Sequence, residues 1–75
     1  MKELLKVLAL SLVDNPDEVT VTEVVGEQSI ILELHVAQPD MGKVIGKQGR
    51  IAKAIRTLVK ASAGNTRKKV VVEIV

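Results

Sequence analysis

The 75-residue chain contains no cysteine, phenylalanine, tyrosine or tryptophan. Without cysteine it can form neither disulfides nor thiolate metal sites, and nothing points to an oxidising compartment, so a cytoplasmic location is expected. Without aromatics the core has to be built from Val, Leu, Ile and Ala, and stacking on aromatic rings is excluded as a way of holding nucleic-acid bases. Long apolar runs are missing too, none approaching the ~18 residues of a membrane span, so no membrane partner is expected. Lys2 and Lys6 precede the apolar stretch Val7 to Val13, but Glu3 lies in what would be the basic region of a signal peptide and the stretch is at the short limit for one. An amphipathic helix accounts better for this segment. With 47% apolar residues, residues 1–75 are expected to form a single domain, near the lower size limit for a core without disulfides or metals.

Acids are missing from one long stretch. Residues 1 to 40 carry Lys2 and Lys6 against eight acids, a balance of −6, whereas residues 41 to 72 carry nine cations and no acid; Glu73 restores the total of +2. A solvated helix face explains any one of these cations. Nine together make an electrostatic footprint for a polyanion, and the acidic first half argues against a protein that merely coats nucleic acid.

Periodicity places the elements. Leu4, Leu5, Leu8, Ala9 and Leu12 form one helical stripe between Lys2 and Val13, and Asp14-Asn15-Pro16-Asp17 ends it. Val19 to Thr22 alternates as a strand, Gly26 to Ser29 turns, and Ile30, Leu32, Leu34 and Val36 point one way along a second strand while Ile31, Glu33, His35 and Ala37 point the other. Pro39 stops that strand, and Asp40 is placed to cap a short helix over Met41 to Ile45. Ile51, Ala54, Ile55, Leu58, Val59 and Ser62 predict the buried face of a second long helix, with Arg50, Lys53, Arg56, Thr57 and Lys60 on its basic side. Gly64-Asn65 closes it, and Lys69 to Val75 predicts a last strand with Val70, Val72 and Ile74 inward. The order is α-β-β-α-turn-α-β.

Gly42, Gly46 and Gly49, with lysines beside them, invite three phosphate-binding readings. A Walker A loop needs four residues between its glycines and then Lys-Ser/Thr, whereas Gly42 and Gly46 are separated by three and Lys47 is followed by Gln48. A dinucleotide fingerprint needs Gly-x-Gly-x-x-Gly after a strand, and neither spacing nor context is present. The GXXG loop between two helices remains. In Val44-Ile45-Gly46-Lys47-Gln48-Gly49-Arg50-Ile51 it is preceded by an apolar pair and followed by a long amphipathic helix. Glycines let the backbone turn sharply and approach a ribose-phosphate chain, Lys47 neutralises phosphate, and amides opening the next helix add a favourable dipole.

With these motifs the chain resembles the KhpA family of small bacterial KH-domain proteins. The likeness runs from the opening helix and Asn15-Pro16-Asp17 through Asp40-x-Gly42-Lys43-Val44-Ile45-Gly46-Lys47-Gln48-Gly49-Arg50 and Ala54-Ile55-Arg56-Thr57 to Lys68-Lys69-Val70. It implies an α+β, type II (prokaryotic) KH fold in which a three-stranded sheet packs against three helices. It also implies RNA binding without catalysis, of the RNA-chaperone or post-transcriptional-regulator type, and partnership with a second KH protein of the Jag/KhpB type. Ala52 departs from the family pattern, where a bulkier aliphatic residue is common; Ile51 beside it is placed to compensate.

The residues expected to contact single-stranded RNA are Lys43, Val44, Ile45, Gly46, Lys47, Gln48, Gly49, Arg50, Ile51 and Lys53. Val44 and Ile45 also suit the core, whereas Lys47 and Gln48 have little structural use at a loop tip. His35 has no second His or Cys with which to share a metal, and neither it nor Glu33 is paired with a nucleophile, so neither catalysis nor a cofactor is expected. Val7 and Leu10 lie off the first helix's stripe; they mark either a partner surface, for a homodimer or a heterodimer, or deeper burial of this helix in a three-helix layer. A protein-interaction module in which RNA binding is secondary is the rival function.

Overall fold

The computed structural model describes residues 1–64 and 66–75. The chain runs α1 (Lys2–Leu10), β1 (Thr20–Val25), β2 (Ser29–His35), α2 (Met41–Ile45), α3 (Arg50–Ser62) and β3 (Lys69–Ile74), with single 3-10 turns at Pro16–Glu18, Gln38–Asp40 and Lys47–Gly49. The fold is α+β, in the expected α-β-β-α-α-β order. The sheet order is β1-β2-β3, with β1 antiparallel and β3 parallel to the central β2.

Period-two alternation builds one face of the sheet. Val21, Ile30, Leu32, Leu34, Val70 and Val72 are buried in one cluster with Leu5 and Ala9 of α1 and Ile55 and Val59 of α3. The antiparallel register sets Val21 beside Leu34, and the parallel register sets Ile30 beside Val70 and Leu32 beside Val72, so the branched side chains lie in rows beneath the helices. The other face carries the exposed Thr20, Thr22, Val24, His35 and Glu73.

Several expectations shift. α1 ends at Leu10, short of Val13, although the Val13 N–H still reaches the Ala9 carbonyl. β1 extends to Val25, and β2 stops at His35, so Ala37 leaves the alternation and is buried. Val7 is 62% and Leu10 38% exposed, so the fold does not bury that side of α1.

The largest correction concerns α3, where the buried face is Ala52, Ile55 and Val59, with Ile51 and Ala63 half-buried; the expected Ala54, Leu58 and Ser62 are exposed. Two helical stripes share Ile51, Ile55 and Val59 and differ in taking Ala52 on one side or Ala54 and Leu58 on the other. The fold buries the side with Ala52 and leaves the side with Ala54 and Leu58 exposed. Gly64 closes the helix as expected, with φ +62, while Asn65 lies outside the described residues.

Candidate nucleic-acid interface

α2 has only five residues, too few to be stable alone. It is held by Val44, which is fully buried, and by Asp40, which is 1% exposed. Asp40 occupies the N-cap position, but its side chain does not cap its own helix. The carboxylate instead turns to the connection between α1 and β1. There it accepts hydrogen bonds from the backbone N–H groups of Asp14 (3.2 Å) and Asn15 (3.0 Å) and from Asn15 Nδ2 (3.0 Å). The Lys43 ammonium donates to Asp14 Oδ2 and lies 3.8 Å from Asp40 Oδ1. Burial pushes the Asp40 carboxyl upward, but the hydrogen bonds from Asp14 and Asn15, with the Lys43 charge, outweigh it and hold the group below the ordinary aspartate range. The hydrogen bond to Asp14 raises Lys43 against the opposing effect of desolvation, with help from both acidic charges.

The loop follows directly on α2. Gly46 ends it with φ +76 and ψ 175, a combination open essentially to glycine alone. Its Cα is pressed against Ile51, since a Cβ there would lie 2.5 Å from Ile51 Cγ1. Gly49 is left-handed at φ +74 and ψ 15 but faces open space. Between them Gln48 is also left-handed, at φ 58, the one non-glycine positive φ among the described residues. Three of the four loop residues are thus held out of the common backbone regions, and the turn thrusts Lys47 and Gln48 into solvent. Arg50 Nη2 donates to Gln48 Oε1 at 3.2 Å, drawing these two side chains together across the start of α3.

The expected contact residues divide into three groups. Lys47, Gln48, Arg50 and Lys53 are exposed around the loop, and Ile45 is 36% exposed beside it. Ile51 is half-buried and serves as the seat of Gly46, and Val44 lies wholly in the core. Lys43 is engaged with Asp14 and Asp40. Among the described residues it is the only cation in an ion pair, so the rest of the acid-free stretch is electrostatically uncompensated at close range. No pocket forms among the described residues. Among them there is also no group of three His, Asp or Glu side chains that could hold a metal and no helix long and apolar enough to cross a membrane.

Sequence reasoning missed Asp40 as the carboxylate bridging to Asn15, because the two are 25 positions apart and Asp40 also fits a local capping role. Arg56 is exposed on the basic side of α3 as expected, but its partner in the sheet was not foreseen. In the fold Arg56 Nε donates to the Val72 carbonyl at 3.2 Å. The N–H groups of Lys69 and Val75 bond to the carbonyls of Gln28 and Leu34, so the odd residues of β3 direct their backbone polar groups toward β2, and the backbone carbonyl of Val72, whose side chain stays in the core, points to the free edge. Arg56 therefore covers an acceptor on the free edge of the sheet.

A family model described as the KhpA/KhpB KH domain matches residues 2–74. The chain is 72% identical to the RNA-binding protein KhpA of Clostridium acetobutylicum and 69% identical to that of Clostridium perfringens. It is 67% identical to the RNA-binding protein KhpA of Caldanaerobacter subterraneus subsp. tengcongensis. Each alignment covers all of this chain and all of the relative. No solved structure matches the chain.

Proposed function

The chain belongs to the KhpA/KhpB family of KH domains, and on that footing we propose that it binds single-stranded RNA by clamping the sugar-phosphate backbone at Gly46-Lys47-Gln48-Gly49. The observation that carries this reading is the loop itself: three left-handed or glycine-only backbone positions present Lys47 and Gln48 to solvent, within a stretch of cations that has no acids of its own. About four nucleotides fit such a loop. Lys47, Arg50 and Lys53 supply the phosphate contacts, and the bases lie on the aliphatic surface at Ile45, with Ile51 supporting the turn beneath them. Without aromatic stacking, sequence preference is modest. A handful of phosphate contacts gives a slope of log affinity against log salt of about −2 to −3. The protein acts in the cytoplasm as an RNA chaperone or post-transcriptional regulator.

Replacing Lys47 and Gln48 together with Asp tests the clamp. Aspartate is among the residues that best tolerate the left-handed region at position 48, so the domain is expected to stay folded by circular dichroism while binding to a labelled single-stranded RNA disappears. Unchanged RNA affinity would refute the mechanism.

A second reading has its own observation. Leu58, 51% exposed, and the exposed Ala54 share one side of α3, while Val7 and Leu10 are exposed on α1. Such surfaces suit a second KH chain, either another copy or a protein of the Jag/KhpB type, and under this reading partner binding is the main role and RNA binding secondary. Substituting Leu58 with Glu then abolishes the cellular role, whereas the loop double variant keeps it. Sedimentation of the purified chain, alone and mixed with a Jag/KhpB-type protein, separates homodimer from heterodimer.

A further inference from the structure

We propose that Asp40 is a positioning residue for the loop, and that Lys43 is held in the Asp40-Asp14-Asn15 cluster and does not contact RNA. This inference rests on the RNA-clamp reading and names the residues that keep the clamp in shape.

The connectivity supports it. Among the described residues, every side-chain hydrogen bond between positions far apart in sequence, apart from Arg56 to Val72, meets at this cluster. It joins the α1–β1 connection to the residue that opens α2. From Asp40 the path to the loop is a single short helix, Met41 to Ile45, whose last carbonyls lead straight into Gly46; the Gly46 N–H bonds to the Gly42 carbonyl. Val44 anchors one side of that helix in the core. A single apolar anchor leaves a five-residue helix free to rock about it, and the Asp40 carboxylate removes that freedom with three directed, charge-assisted bonds. Leaving a buried carboxylate without them would be costly, so these bonds are kept in the folded domain. Gly46 in turn bears on Ile51 with no room for a Cβ, so a small displacement of α2 is passed into the loop rather than absorbed by slack.

Lys43 fits the same account. Its ammonium, though partly exposed, is paired with two carboxylates, so the three groups together carry a net negative charge that does not attract phosphate, whereas Lys47, four residues later, has no acid within ion-pair distance among the described residues. The two lysines therefore contribute to binding in different ways, one through geometry and one through charge.

The salt dependence of binding tells these roles apart. Anisotropy of a fluorescent single-stranded RNA 12-mer of mixed sequence would be measured from 50 to 300 mM KCl with the full chain and with Lys47→Met, Lys43→Met and Asp40→Asn. Lys47→Met is expected to reduce the slope by about 0.7, the value for one lost phosphate contact on a single strand. Lys43→Met and Asp40→Asn are expected to weaken binding, by about threefold and about tenfold, equally at every salt concentration and with the slope unchanged. In the free protein, Asp40→Asn should also shift the amide resonances of Gly46, Gln48 and Gly49, a response that a general loss of stability in a still-folded domain does not produce. Should Asp40→Asn fail to fold, Asn15→Ala, at the exposed end of the cluster, serves for the same comparison. A slope reduced by Lys43→Met as much as by Lys47→Met would overturn the proposal, as would unmoved loop amides in folded Asp40→Asn or Asn15→Ala. If Lys47→Met changes neither affinity nor slope, the clamp reading itself fails; the loop amides then decide the positioning role on their own.

Discussion

The two glycines of the loop should respond very differently to the same substitution. Gly46→Ala meets two penalties. The backbone at φ +76 and ψ 175 is in a region that side chains avoid, which costs about 1–3 kcal/mol. The new methyl would also lie 2.5 Å from Ile51 Cγ1 and 2.8 Å from its Cβ and Cδ1, and overpacking of this kind costs a further ~1–3 kcal/mol. Together they come to about 2–6 kcal/mol, against a total stability of about 4–11 kcal/mol for a domain of this size. Gly49→Ala meets only the left-handed penalty of about 1–2 kcal/mol, because nothing lies within 4 Å of its Cβ position. Thermal and urea unfolding followed by circular dichroism would measure both. At about 4–8 °C per kcal/mol, Gly49→Ala should melt roughly 4–16 °C below the parent, and Gly46→Ala further still or be unfolded at room temperature. Adding Ile51→Ala removes Cγ1 and Cδ1, so the Gly46→Ala/Ile51→Ala pair should be less damaging than the sum of its parts by at least ~1 kcal/mol. Equal losses at the two glycines, or strict additivity with Ile51, would refute the view that Gly46 is set by packing and Gly49 by backbone geometry alone.

Two further outcomes concern Asp40 and Arg56, whose side chains bond to partners far away in the chain. Asp40 is held below the ordinary aspartate range in the folded state, so its contribution to stability is fully present above about pH 4 and is lost as pH falls through its lower folded value. Urea unfolding at a series of pH values should therefore show a constant gap between the parent and Asp40→Asn above about pH 5, narrowing below about pH 4; a gap that widens on acidification would contradict the assigned hydrogen bonds. Arg56→Ala should cost about 1 kcal/mol for the lost bond to Val72 and, by uncovering the β3 edge, move the chain toward higher-mass species in sedimentation. Arg56→Lys should fail to restore the parent behaviour, since the ammonium lacks the guanidinium's fixed Nε geometry.

Much of the fold was legible because strongly periodic segments admit few solutions. β2 and β3 carry a branched residue at every second position, so that a one-residue slip would turn Leu32 and Val72 to solvent, and the breaks at Asp14-Asn15-Pro16 and at the loop glycines separate the helices. α3 was legible as a helix but not in its orientation. Alanine is equally at home in a core and on a surface, so Ala52 and Ala54 gave no preference between two overlapping stripes. The loop residues Lys47 and Gln48 stood out for the opposite reason, since nothing local requires a lysine or a glutamine at a tight turn. Whether Lys43 belonged with them depended on Asp14, 29 positions earlier.

The amino-acid sequence alone determined the order of elements, the place of the Gly46-Lys47-Gln48-Gly49 turn and the acid-free cationic half, because each is a matter of neighbours along the chain: period, turn chemistry and charge. Tertiary structure decided the use of side chains whose partners lie far away. It turned the Asp40 carboxylate from capping its own helix to holding the Asp14-Asn15 connection, committed Lys43 to that cluster, brought Arg56 to the edge of β3 and buried Ala52 in place of Leu58. A carboxylate, an ammonium or a small methyl is chemically suited to several local roles, and only the packing of distant segments selects among them.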